Sequence, residues 1–411
     1  MTKISLATVL ALGFVSSLSA IEDVKITGEA KVIYQTTNQE GAVTTGMFEQ
    51  GTSTTGEAAR AGASLTIGAN AKLSESVTGN VEAQAFSTLG LEKNLVSGVM
   101  ATGSTDTQGQ VSQASLTAKA GKTTVVVGRQ ELNTPLAFTE KWNVVKNTFD
   151  AAVVQNNDIE NTTLVGAWVG NHNGISNFNN TTGVITAGTA GGLVTSFGQT
   201  ATLKSFETFG TDGAYTVGAV SKAVPDTTLQ AWYYNVVDVA QATWLQGDTK
   251  VAGNVTLGAQ YATMNPEAAG KTSSIWAVKA GTEVAGVNVY GAYSSADEDG
   301  TLGFANVSTG DKTMIYTGLD SIYMDGIVTR PGNDTFKVGA SKELSGVKLA
   351  TSYTDCSSDT AANEIKGWDI SASTKVGGAT VQAIYTSFDT ETATYTGRDR
   401  DTLRLVGSYK F

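Results

Sequence analysis

Cysteine occurs once in these 411 residues, as Cys356, and histidine once, as His172. A lone thiol cannot close an intramolecular disulfide, so neither stability nor redox exchange rests on cysteine pairing. A lone imidazole excludes a histidine-rich metal centre. Charged residues are only 16% of the chain, against about 25% in ordinary globular domains. Proline is rare, at four. Beyond residue 20 every apolar run is a few residues long, far below the roughly 18 that a spanning helix needs, which excludes a helical membrane protein. There is no Walker phosphate loop, and a net charge of −11 argues against binding nucleic acid.

What is abundant is glycine, at 46, much of it in a recurring turn. TKVGGATVQA (374–383) is echoed by TKVAGNVTLG from Thr249, TEVAGVNVYG from Thr282 and SKELSGVKLA from Ser341. Each has Lys or Glu, a tight turn, then alternating apolar and polar residues. The alternation is general. VKITGEAKVIY (24–34) places Val24, Ile26, Gly28, Ala30, Val32 and Tyr34 on one face and Lys25, Thr27, Glu29 and Lys31 on the other. RAGASLTIGANAKL (60–73), GNVTLGAQYAT (253–263), GWDISASTKV (367–376) and TLRLVGSYKF (402–411) repeat it. No segment shows a 3.6-residue apolar period, so the chain is all β.

Strand length and turn spacing select a closed transmembrane barrel over a soluble sandwich. The strands run about ten residues, where soluble strands average 5–6 and a tilted strand crossing a bilayer needs about 9–11. In lipid every backbone polar group must be paired internally, so such strands span only as a closed antiparallel β-barrel with the apolar face outward. Eight tight turns are expected: 74–76, 121–122, 156–161, 224–226, 252–253, 285–286, 345–346 and 377–378. The largest connections at the other end are 36–59, 90–109, 171–210 and 297–333. Eight turns join sixteen strands, and the two terminal strands make eighteen, with short periplasmic turns and long extracellular loops. Lys72, Lys119, Lys222, Lys250, Glu283, Lys342 and Lys375 mark the periplasmic boundary.

MTKISLATVLALGFVSSLSA has the layout of a secretory signal peptide: Lys3, an apolar stretch from Ile4 to Val15, then small residues. Cleavage falls after Ser19 or Ala20, leaving 21–411 as a single barrel domain, and loss of Lys3 takes the net charge from −11 to −12. The last strand ends on aromatics, Tyr409 and Phe411, which resembles the terminal signal read by the barrel assembly machinery of bacterial outer membranes.

VVVGRQELNTPLAFTEKWN (125–143), AAVVQNNDIENTTLVGAW (151–168) and the ending RLVGSYKF resemble the major outer membrane porin family of Campylobacter and related bacteria. The resemblance implies an eighteen-stranded homotrimeric channel whose third loop folds into the lumen, and a calcium ion held by constriction carboxylates. The carboxylates near that loop are Glu131, Glu140 and Asp150.

The residues themselves also point to a constriction in 133–148. Strand 123–133 carries Arg129 and Glu131 at one parity, and that face is expected in the lumen. Pro135 then ends the ladder, and LAFTEKWN adds apolar anchors (Leu136, Phe138, Trp142) to a charged pair, Glu140 and Lys141. Arg129, Glu131, Glu140 and Lys141 are therefore the expected selectivity residues. His172, in a Gly/Asn-rich stretch with no acidic neighbour, reads as a solvated loop residue rather than a catalyst. DEDG (297–300) lacks an acid at the closing position, Ser308, and reads as surface loop. The function expected is passive diffusion of ions and small hydrophilic solutes across a Gram-negative outer membrane, mildly cation-selective and not enzymatic. Two alternatives stand: a substrate-selective channel, and an adhesin or structural surface barrel working through its loops.

Overall fold

The computed structural model describes residues 23–39, 46–49, 59–88, 90–91, 98–99, 108–173, 207–208, 212–251, 253–267, 270–310, 312–319, 325–358, 364–391 and 399–411. The expected signal peptide and most of the loops 36–59, 90–109 and 171–210 lie outside these residues.

The strands are β1 (Lys25–Gln39), β2 (Ala59–Lys72), β3 (Val77–Ser87), β4 (Gly98–Val99), β5 (Gln108–Ala120), β6 (Thr123–Gln130), β7 (Phe149–Asn156), β8 (Thr162–His172), β9 (Glu207–Thr208) and β10 (Ala214–Ser221). They continue as β11 (Thr227–Val236), β12 (Ala240–Val251), β13 (Val255–Pro266), β14 (Ser273–Val284), β15 (Val287–Ala296), β16 (Asn333–Leu344), β17 (Val347–Ser358), β18 (Glu364–Val376), β19 (Ala379–Glu391) and β20 (Arg400–Lys410). The two-residue strands β4 and β9 only lie beside β2 and β8. The other eighteen pair antiparallel in chain order, with β3 meeting β5 and β8 meeting β10. The wall closes where β1 meets β20, from Glu29 opposite Lys410 to Gln39 opposite Arg400. This is the closed 18-strand barrel expected from the sequence.

The eight tight connections fall where the turn residues placed them, Ala252 alone lying outside the described residues. The repetition has a backbone cause. Ala285–Gly286, Ser345–Gly346 and Gly377–Gly378 all have positive φ at both central positions. That is the type I′ turn, whose twist matches the right-handed twist of the strands it joins. Ala285 and Ser345 accept φ of 51° and 49° for it, an arrangement that costs a non-glycine residue about 1–2 kcal/mol.

The faces follow the alternation. Val32, Leu65, Leu116, Leu245, Leu257, Val278, Ile370 and Leu405 are exposed on the outside. An aromatic band runs around the outer wall from β8 through β18: Trp168, Tyr215, Tyr233, Tyr261, Trp276, Phe336, Tyr353 and Trp368 are all exposed. An exposed apolar belt with an aromatic girdle is the surface of a membrane barrel, not of a soluble sandwich. The interior departs from simple alternation on one side. β7 and β8 are apolar on both faces, with Val153 and Val169 buried within and Val154, Leu164 and Trp168 exposed without.

Candidate functional site

The β6–β7 connection does not stay outside. The strand ends at Gln130, three residues before the expected Asn133. Gly128 just before it has φ of +116°, backbone that an L residue rarely adopts. The Gln130 amide holds the departure point, donating to the carbonyl of Ala151 at 3.0 Å and to those of Val126 and Gly128 at 3.3 Å. Asn133 and Phe138 then bridge, and the Thr134–Ala137 turn closes with Thr134 N–H donating to the Ala137 carbonyl at 3.0 Å. Pro135 occupies the second position of that turn, which its fixed φ suits. It shapes the loop tip rather than ending the strand.

This loop spans the lumen. Its tip seats Leu136, 1% exposed, in an apolar cluster with Trp232, Tyr234 and Trp244 of β11 and β12. Its return seats Val144 and Val145 against Ile33 of β1 and Phe86 of β3. Ser64 Oγ donates to the Val144 carbonyl at 2.6 Å, and Lys31 Nζ to those of Lys141 and Asn143 at 3.1 and 3.2 Å. Burying such side chains contributes roughly 1.5–3 kcal/mol each, which fixes the loop inside.

A second loop joins it. The β15–β16 connection, expected as external, turns into the barrel and buries Leu302, Phe304, Ile315 and Leu319. Val307 N–H donates to the Leu136 carbonyl at 2.8 Å. On its far side Tyr316 Oη donates to Asp248 Oδ1 at 2.8 Å, beside Lys279 at 3.2 Å. The apolar residues of LGFANVS (302–308) were the available signal, since a solvated loop has no use for them. DEDG at its start is exposed as expected, Asp299 pairing with Lys271.

The four expected selectivity residues go to three different places. Glu131 faces inward at the loop base, paired with Lys141 and, at 2.5 Å, with Lys146. Lys146 also binds Glu82 of β3 at 2.8 Å, and Gln113 of β5 donates to both carboxylates at 3.2 and 3.3 Å. Burial alone would raise the Glu131 carboxyl, but hydrogen bonds and charge from Lys141 and Lys146 outweigh it and hold the group below its ordinary range. Burial would lower the Lys146 amine, but Glu82 and Glu131 hold it above its usual value. Glu82, Gln113 and Lys146 were not singled out from the sequence. Their faces were legible by parity; their convergence depends on the loop crossing the lumen.

Glu140 is not an open charge but a buried clamp. Its carboxylate accepts from Asn306 Nδ2 at 2.8 Å, Trp142 Nε1 at 2.7 Å, Thr309 Oγ1 and the Lys312 N–H at 3.3 Å. Arg129 is not in the lumen. It stands opposite Asp150 in the β6–β7 ladder, on the face that carries exposed Val127 and Val154, and binds Asp150 through Nε at 2.8 Å and Nη2 at 3.1 Å. Arg129 and Glu131 would share a face in a continuous strand, but the strand stops between them. The expected calcium carboxylates are thereby separated: Asp150 lies on the outer wall, Glu140 in the clamp and Glu131 between lysines. No group of three acidic, His or Cys side chains able to hold a metal occurs among the described residues.

His172 is not solvated either. It is fully buried, its Nδ1 3.3 Å from Ser308 Oγ, which in turn accepts from Asn147 Nδ2 at 3.0 Å. The second loop, distant in sequence, supplies that cover.

No family model matches the sequence, and no curated protein does. The fold is similar to that of several solved bacterial structures. Pseudomonas aeruginosa OccK9 (OpdG) matches with a TM-score of 0.72 at 12% identity, over 95% of this chain and 99% of that one. Acinetobacter baumannii OccAB3 matches with 0.71 at 14%, over 95% and 100%. P. aeruginosa OccK8 (OprE) matches with 0.69 at 16%, over 95% and 98%. At these identities the likeness concerns architecture: this chain is a closed 18-strand antiparallel barrel with the fold of those structures.

Proposed function

We propose that this chain is an outer-membrane porin through which ions and small hydrophilic solutes diffuse passively. The supporting observation is the pair of loops tied to each other and to the wall inside a barrel whose outer face is apolar. An eighteen-strand barrel encloses an aqueous lumen, and a fixed insertion narrows it without sealing it. An adhesin needs its loops outward; here the 297–333 loop commits Leu302, Phe304, Ile315 and Leu319 inward. The selectivity is mildly cationic. It comes from the overall charge of the mature chain rather than the loop base, where Glu82 and Glu131 are balanced by Lys141 and Lys146.

The same reading includes export by the N-terminal signal, assembly through the terminal Tyr409 and Phe411, and a homotrimer. The outer wall supports the last. The aromatic band is missing on β2 to β7, where small outward residues (Ala63, Ala69, Ala83, Ala85, Ala114, Ala152) alternate with aliphatic ones such as Leu65, Leu116 and Val127. The same sector carries the Arg129–Asp150 pair, with Asn171 Nδ2 donating to Asp150 at 3.3 Å. A charged pair facing hydrocarbon is costly, whereas a second copy can cover it, and small residues permit close approach. Purified protein in planar bilayers under a salt gradient tests the reading: ohmic steps with a reversal potential of cation sign support it, and negligible conductance overturns it.

A further inference from the structure

Between the inserted loop and the wall lies a recess of about 510 Å3, within the roughly 300–1,000 Å3 typical of small-molecule sites. Its wall side is Val126, Val153 and Val165 with Trp232 and Tyr234; its loop side is Leu132 and Leu136. A water-filled barrel would present polar residues here. The seat of Leu136 explains part of the departure, but Val126, Val153 and Val165 face the open volume of the recess as well. Trp232 and Tyr234 stack at 6.3 Å with an interplanar angle of 20°, giving one side of the recess flat aromatic surface. Glu131 is the one charged residue among the lining residues described, and two lysines neutralise it. Polar side chains are confined to a few positions, among them Gln155, Thr163 and Asn133.

Resting on the channel reading above, we propose that this recess is a binding subsite for uncharged permeants with a flat aromatic body and one hydrogen-bonding group. The apolar lining takes the ring, the polar positions take the head, and the neutralised Glu131 offers an ion no advantage. Such solutes are held in the lumen while fully hydrophilic ones pass.

The probe is benzamide, uncharged and aromatic, against erythritol, uncharged and without a ring, each titrated onto the open channel in planar bilayers. Benzamide is expected to lower the current saturably, while erythritol changes it only in proportion to bulk conductivity. Val165→Asn should weaken the benzamide effect about tenfold, because the bound ring would strip the new amide of water without giving it a hydrogen bond. Ala167→Phe, which fills the recess, should abolish it, and Leu245→Phe on the outer face should leave it intact. Heat-modifiable migration reports folding for each variant, so either substitution suffices if the other fails to fold. Equal responses to the two solutes, or a benzamide effect unchanged in a folded Val165→Asn or Ala167→Phe channel, overturns the proposal. Absence of ohmic steps in salt alone overturns the channel reading, and the subsite with it.

Discussion

Asn306 donates through one amide to the Phe138 carbonyl and to the Glu140 carboxylate, each at 2.8 Å. Two loops 166 residues apart in sequence are thereby closed into a single insertion across the barrel. The relationship changes what Glu140 is for. Buried between loops, it cannot contribute a free transverse field to permeants.

Glu140→Ala should therefore loosen the insertion rather than retune it. Each buried donor left unsatisfied costs about 1–3 kcal/mol, so the variant should show noisier, larger current steps and a lower thermal midpoint. Unchanged step size and noise in a folded variant would remove the clamp from the account. Glu131→Lys, at the half-buried loop base, should instead move reversal potentials toward anions, more so at low salt where screening is weaker.

The outer and inner faces can be told apart by charge insertion. Leu245→Lys, at the middle of β12 on the outer face, should cost about 2–4 kcal/mol in a reversible folding assay in lipid. Thr256→Lys, on the inner face of β13, should fold normally and shift ion selectivity. Equal folding of the two would reverse the assignment of faces.

The loop base should respond to pH at both extremes. Glu131 is held below its ordinary value, so its contribution is present above about pH 4.3 and is lost as pH falls through the lower folded value. Lys146 is held above its ordinary value, so its contribution is present below about pH 10.4 and is lost as pH rises through the higher folded value. Protease cleavage within 131–148 should be slow between these limits and faster outside them. Glu82→Gln, by removing a partner of Lys146, should bring the alkaline rise to lower pH. A cleavage rate flat in pH would show that these pairs do not hold the loop.

Phe411 exchanges backbone hydrogen bonds with Gly28, Phe411 N–H to the Gly28 carbonyl at 3.0 Å and the reverse at 2.7 Å. Its ring lies over Gly28, where a Cβ would come within 2.3 Å, so a larger residue there would displace the ring. Phe411→Ser should leave secretion unchanged and reduce the heat-modifiable barrel recovered from the outer membrane. Wild-type recovery would show that the terminal aromatic is not read.

Strand positions and faces were legible because both depend on local rules. Period-2 alternation set the faces, and turn residues such as Ser345–Gly346 and Gly377–Gly378 set the hairpins. The site was legible only where local chemistry decided it. Leu136 and Phe138 announced an inward loop, and Glu131 stands at its base beside Lys141 and Lys146. Arg129 was misplaced because parity was carried past Gln130, where the strand ends after the positive-φ Gly128. His172 and Glu140 were misread because their surroundings come from residues 306–312, and one sequence does not reveal which distant segments meet. The apolar inner face of β7 and β8 was hidden for a related reason: an apolar run does not say which of its two faces packs.

The central claim is that residues 131–148 narrow a water-filled channel. Single-channel conductance of the wild-type chain should be compared with that of a variant lacking residues 136–142, both verified as folded barrels. Discrete ohmic steps, larger in the deletion, are the predicted result; equal steps in the two proteins, or no steps in either, would contradict the account.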